Sequence, residues 1–110
     1  APYENDVWSH NQLKNVVSHT EIERTKLLDI LKNGDFIDTF KLLIPPSENL
    51  FTWWSYRSPD FRVNNRGRRL DHIWVRKSSS FKLKKARIIK EFRELEKPSD
   101  HVPIVLEISV

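Results

Sequence analysis

Leu70-Asp71-His72-Ile73-Trp74-Val75 is a short apolar run, rich in β-branched and aromatic residues, with a carboxylate set inside it. The composition predicts a strand. A carboxylate within a strand is costly to bury unless it is paired. A histidine would satisfy Asp71 and fix its own ring orientation in return. His72 is next in sequence, but neighbouring strand residues face opposite sides. The preferred partner is therefore His101, in Ser99-Asp-His-Val-Pro103. There Pro103 biases Val102 toward extended backbone and stiffens the turn. Asp100 beside it is a hard oxygen ligand of the kind that suits Mg²⁺.

Ahead of this run, residues 57–69 read as a polar loop with five arginines, two asparagines and one glycine. Before it, Leu50 to Tyr56 is aromatic-rich and predicts a short strand. Within that strand Trp53-Trp54-Ser-Tyr-Arg57 sets aromatic rings beside a cation, a combination that stacks on bases or sugars and holds phosphates. Strand alternation assigns one of the two tryptophans to the core. After Val75, Ser78–Ser80 reads as a loop, Phe81 to Ile89 as a basic strand, and residues 90–99 as a charged connector containing Pro98. Val102 to Val110 is a closing strand, apolar enough to predict burial on both faces.

The N-terminal third is helical in pattern. Thr20-Glu-Ile-Glu23 is a capping box, and Ile22, Leu27, Leu28, Ile30 and Leu31 follow at helical spacing. A helix is predicted over 21–32, with Gly34 placed as a left-handed C-terminal cap. Phe36 to Ile44 is a second apolar segment, ended by Pro45-Pro46. Ser47-Glu-Asn49 reads as a turn. Trp8, Leu13, Val16 and Val17 are spaced loosely like a short helix.

The whole chain bounds the reading. With 110 residues there is room for one small domain. Hydrophobic residues make up 38% and charged residues 31%, a globular balance that excludes disorder. No apolar run approaches the about 20 residues that span a bilayer. The chain has no cysteine, which excludes disulfides and cysteine-ligated zinc. Lys and Arg total 19 against 15 Asp and Glu, a net charge of +4 that favours a polyanionic partner. The absence of methionine and the opening at Ala1-Pro2 suggest an internal start.

Three runs, in order, resemble the motifs of exonuclease III and the bacterial abasic-site endonucleases. They are Phe51-Thr-Trp-Trp-Ser-Tyr-Arg57, Asn65-Arg-Gly-Arg-Arg-Leu-Asp71 and Lys97-Pro-Ser-Asp-His-Val-Pro-Ile104. Gly34-Asp-Phe-Ile-Asp-Thr-Phe40 resembles the segment ahead of the aromatic strand. The resemblance implies an α/β (α+β) fold: residues 1–110 would be the C-terminal portion of one endonuclease/exonuclease/phosphatase domain. That domain is a four-layer sandwich of mostly antiparallel or mixed sheet with flanking helices. It implies a Mg²⁺-dependent (or Mn²⁺-dependent) DNA phosphodiesterase of base-excision repair, cytoplasmic and of bacterial type. The full-length protein would be a monomer acting on duplex DNA with an abasic site or a 3′ end.

Carried over residue by residue, the resemblance makes His101 and Asp71 catalytic, with Asp100 and His101 at the metal. Trp53 and Leu70 would line the sugar pocket. Trp54, Arg57, Asn65, Arg66 and Arg69 complete the DNA-binding set. Arg68 departs from relatives that carry Trp at that place. The family's N-terminal metal-binding Glu, Asn, catalytic Tyr and Gly-Asp-x-Asn motif have no counterpart here, so the isolated piece is expected to be inactive. Two alternatives stand beside this reading. One is a non-catalytic basic module that binds nucleic acid. The other is a lipid or inositol phosphoesterase of the same superfamily, which shares the Asp100-His101 pair but not the aromatic and arginine runs.

Overall fold

The structure is a computed structural model that describes residues 2–57, 61–95 and 97–110, with Phe61 described by its backbone alone. Residues 58–60 of the arginine loop and residue 96 of the connector lie outside the described residues.

The helical third forms as its sequence predicts, with two adjustments. Helix α1 spans His10–Leu13 and is only one turn, capped by Ser9. Helix α2 spans Glu21–Asn33. The Thr20 hydroxyl accepts the Glu23 amide, and the Glu23 carboxylate reaches back past the cap to the Ser18 amide at 2.8 Å. The hydrogen bond from Thr20 holds the Glu23 carboxyl below its ordinary value. Gly34 is not left-handed (φ −85°); Asp35 takes that conformation instead, at φ 56°. Glycine is needed at position 34 for close approach. A Cβ there would stand 2.4 Å from the Phe36 ring. Of the apolar face of α2, Leu31 is buried while Ile22, Leu28 and Ile30 remain exposed.

Strand β1 (Phe36–Asp38) leads directly into helix α3 (Thr39–Leu43), and α4 is a single turn at Phe61–Asn64 within the expected loop. β1 pairs antiparallel with β2 (Trp74–Arg76), Asp38 opposite Trp74. β3 (Lys82–Ile88) pairs antiparallel with β4 (Ile104–Ser109), with a register irregularity between Leu83 and Lys85. A 3-10 turn, Lys90–Glu94, fills part of the charged connector. Burial of β4 on both faces is not found: Glu107 and Ile108 are exposed.

Outside these two-stranded sheets runs a ladder of single antiparallel bridges, Val7 to Arg68, Arg68 to Trp53 and Trp53 to His101. This replaces the strand expected over Leu50–Tyr56. The Arg68 carbonyl accepts both the Thr52 and Trp53 amides, at 3.0 and 3.1 Å, so two residues oppose one and the ladder cannot run on regularly. The strand expected from Leu70 begins only at Trp74 for a related reason. The amides of Leu70 and Asp71 go to the Thr52 hydroxyl at 3.1 and 3.2 Å instead of to a neighbouring strand.

Phe51, Trp54 and Val102 form the core beneath this ladder, with Trp8 and Ile88 against them. Gly67 allows the contact, since a Cβ there would meet the Phe51 ring at 2.5 Å. Beside the core sits a buried charge cluster. Arg69, 1% exposed, forks onto Asp38 and lies 3.6 Å from Asp6. Lys41 approaches Asp6 at 3.4 Å. These groups satisfy one another, which is the condition for keeping charge out of water.

Candidate active site

The bridge ladder carries the chemistry-bearing side chains to one open face. His101 enters from the third bridge, and its amide is held by the Ser99 hydroxyl at 3.1 Å. Asp71 enters from the extended stretch after Arg69. His101 Nδ1 stands 2.8 Å from Asp71 Oδ2, with side chains 44% and 35% exposed. Asp71 is thus paired as the sequence argument required, though half-exposed and ahead of the strand, not buried within it. His72 points elsewhere. Its ring packs 5.7 Å from Trp74, and burial pushes its imidazole down to about 4, leaving it neutral.

Thr52, absent from the sequence expectation, donates its hydroxyl to the same Asp71 oxygen at 2.7 Å. The Trp53 indole N–H donates to Asp100 Oδ2 at 2.9 Å. The Arg68 guanidinium lies 5.7 Å from the centre of the Trp53 ring. It is tied to the Val17 carbonyl at 2.6 Å and to the Ser18 hydroxyl. Burial lowers its pKa from the usual value, yet an arginine so placed remains a cation.

Two members of the expected DNA-binding set, Trp54 and Arg69, are buried, and a third, Asn65, is hydrogen-bonded to Trp54. Trp54, 1% exposed, is core, and its N–H goes to the Asn65 side-chain oxygen at 3.2 Å. Asn65, half-buried, has that oxygen engaged and sits at φ 45°, a conformation asparagine tolerates. Arg69 is locked in the buried cluster. Trp53 and Leu70 are half-buried at the site, and Arg57 and Arg66 are exposed, Arg66 stacked 4.9 Å from the Trp8 ring centre. Residue type marked these side chains as candidates. Which of two adjacent residues faces inward depends on the bulge at Arg68, which no composition signal reveals.

Among the described residues no three of His, Cys, Asp and Glu come together as a metal site. Asp100 has one oxygen committed to Trp53, and His101 has Nδ1 committed to Asp71. One carboxylate and one imidazole do not satisfy an ion that prefers about six oxygens. Asp100 suits a partial ligand set, one that water, substrate oxygens or groups beyond the described residues would complete.

No family model matches the chain. It is 41% identical over 70 residues to exodeoxyribonuclease III of Haemophilus influenzae, a match covering 64% of this chain and 26% of that protein. It superposes over its full length on an AP endonuclease from Archaeoglobus fulgidus, with TM-score 0.92 and 31% identity, covering 42% of that chain. A 3′ phosphatase from Neisseria, solved with a product DNA hairpin, gives TM-score 0.86 and 29% identity, with the same 42% coverage. The chain therefore spans less than half the length of these relatives. Fold and sequence together make it an α/β segment of the endonuclease/exonuclease/phosphatase superfamily, of the exonuclease III-like kind.

Proposed function

We propose that the chain is the C-terminal portion of a DNA phosphodiesterase domain and that Asp71 and His101 act on the scissile phosphate. The observation that carries this is the 2.8 Å Asp71–His101 contact on an open face beside Trp53 and Asp100. A carboxylate only accepts, so His101 donates Nδ1–H to Asp71 and turns Nε2 outward. Neutral, Nε2 takes a proton from an attacking water; protonated, it donates to a phosphate oxygen. Trp53 offers its ring to the sugar at an abasic site or a 3′ end, with Leu70 beside it. Arg57, Arg66 and Arg68 give cations for neighbouring phosphates.

A Mg²⁺ or Mn²⁺ ion, when bound, would neutralise charge on the phosphate, with Asp100 as one ligand. As a hard ion it favours the Asp100 carboxylate over the His101 imidazole. The expected substrate is duplex DNA, as a repair intermediate in the cytoplasm, acted on by a monomer.

The 110-residue chain alone is expected to leave an abasic-site duplex uncut in Mg²⁺. Efficient metal-dependent cleavage by the isolated chain would overturn the view that groups outside it complete the site. In a longer protein that contains this segment, Asp71→Asn and His101→Asn should each lower turnover by about 10² to 10⁴-fold with DNA affinity little changed. Near-normal turnover in either variant removes that residue from the mechanism.

A further inference from the structure

Thr52 is 1% exposed and sits where three segments meet. Its amide donates to the Arg68 carbonyl at 3.0 Å, and its carbonyl accepts the Val102 amide at 2.9 Å. Its hydroxyl oxygen accepts the amides of Leu70 and Asp71, at 3.1 and 3.2 Å, and lies 2.7 Å from Asp71 Oδ2. A hydroxyl has one hydrogen and two lone pairs. Backbone amides can only donate, so the two of them occupy both lone pairs. The single hydrogen is left with one acceptor within reach, the Asp71 carboxylate. The direction of this bond is therefore set by the backbone and not by a free rotor.

The consequence passes to the imidazole. Asp71 Oδ2 receives the Thr52 hydroxyl on one side and His101 Nδ1 on the other. Held in that orientation, the carboxylate accepts from Nδ1–H and keeps Nε2 directed at the open face. We propose that Thr52 is a positioning residue whose hydroxyl, saturated by two backbone amides, orients Asp71 and so sets which nitrogen of His101 carries the proton. The role deepens the assignment of His101 as the group that faces the phosphate, and it rests on that assignment. Thr52 itself touches no reacting atom.

The test reads the histidine directly and requires no nuclease activity. In the 110-residue chain with ¹⁵N-labelled imidazoles, long-range ¹⁵N–¹H spectra at about pH 8, where an ordinary imidazole is neutral, report the tautomer of His101. The Nδ1–H form should dominate. Thr52→Val keeps the shape and removes the hydroxyl, and it should lower the ratio of Nδ1–H to Nε2–H at least about fivefold, the worth of one net hydrogen bond. Thr52→Ser should restore the ratio. An unchanged ratio in a folded Thr52→Val chain, or a serine variant no better than valine, overturns the proposal. If Thr52→Val does not fold, the unsubstituted chain decides. A slowly exchanging Thr52 hydroxyl proton with cross-relaxation to the Leu70 and Asp71 amides supports the role, and a hydroxyl proton exchanging too fast to observe contradicts it. A failure of the phosphodiesterase reading would appear instead in turnover of the longer protein, with the tautomer unaffected.

Discussion

Arg69 and Asp71 are two residues apart, and each joins a carboxylate to a nitrogen donor, yet the two pairs live under opposite conditions. Arg69 is 1% exposed and shares its charge with Asp38 and Asp6 inside the protein. Asp71 and His101 meet with side chains 35% and 44% exposed on an open face. The buried cluster has no free donor geometry to offer a ligand and fixes where segments 6, 38 and 69 lie. The open pair leaves His101 Nε2 available. A carboxylate held by a nitrogen donor thus ties the fold together in one place and stands half-exposed in the other. Exposure, not residue type, separates them.

The largest effect that could break this contrast is on turnover. His101→Ala in a longer protein containing the segment should cost about 10² to 10⁴-fold in kcat and little in thermal stability. A variant that unfolds instead would place the open pair with the buried one. Next, Arg69→Ala leaves the buried Asp38 carboxylate without its cation and Asp6 with Lys41 alone, and chemical denaturation should register a loss of about 3–5 kcal/mol. Arg69→Met, of similar volume, combined with Asp38→Leu should recover much of it. A fully stable Arg69→Ala chain would show that the cluster does not hold the fold.

Smaller effects sharpen the comparison. His72 is held neutral by burial, at about 4 against an unfolded value near 6.5. The unfolded chain therefore binds the proton first as pH falls. Stability should be full above about pH 6.5 and decline toward pH 4, by up to about 3 kcal/mol for this group. A His72→Phe chain should show a flatter profile, and an unchanged profile would assign the loss to other groups. Arg66→Ala, exposed and outside both pairs, should weaken DNA binding in the longer protein about equally for all sequences and lower the salt slope by about 1. A sequence-dependent loss would give Arg66 a role in base reading.

Helix α2 was legible because its signals are local: Thr20, Glu23 and the spacing through Leu31 lie within a few turns of one another. β3 was legible as a basic strand and β4 as an apolar run, each with clear ends. Leu50–Tyr56 and Leu70–Val75 were not regular strands, because a shared carbonyl at Arg68 and the Thr52 hydroxyl take bonds that a ladder would use. Both are tertiary facts. The Asp71–His101 contact was legible from electrostatic reasoning, although the carboxylate proved half-exposed. That one of Trp53 and Trp54 is core was legible, but which one was not, and Arg69 is buried because Asp38 and Asp6, distant in sequence, meet it there. Thr52 left no signal, since a threonine in a β-rich run is ordinary.

In the proposed function Asp71 and His101 work as one unit at the phosphate. The most direct measurement is a double-mutant cycle on kcat in a longer protein containing this segment, with Asp71→Asn, His101→Asn and the pair. The double variant should lose about as much as the more damaging single variant, because either change already disables the unit. Losses that multiply would mean independent roles and would contradict the account.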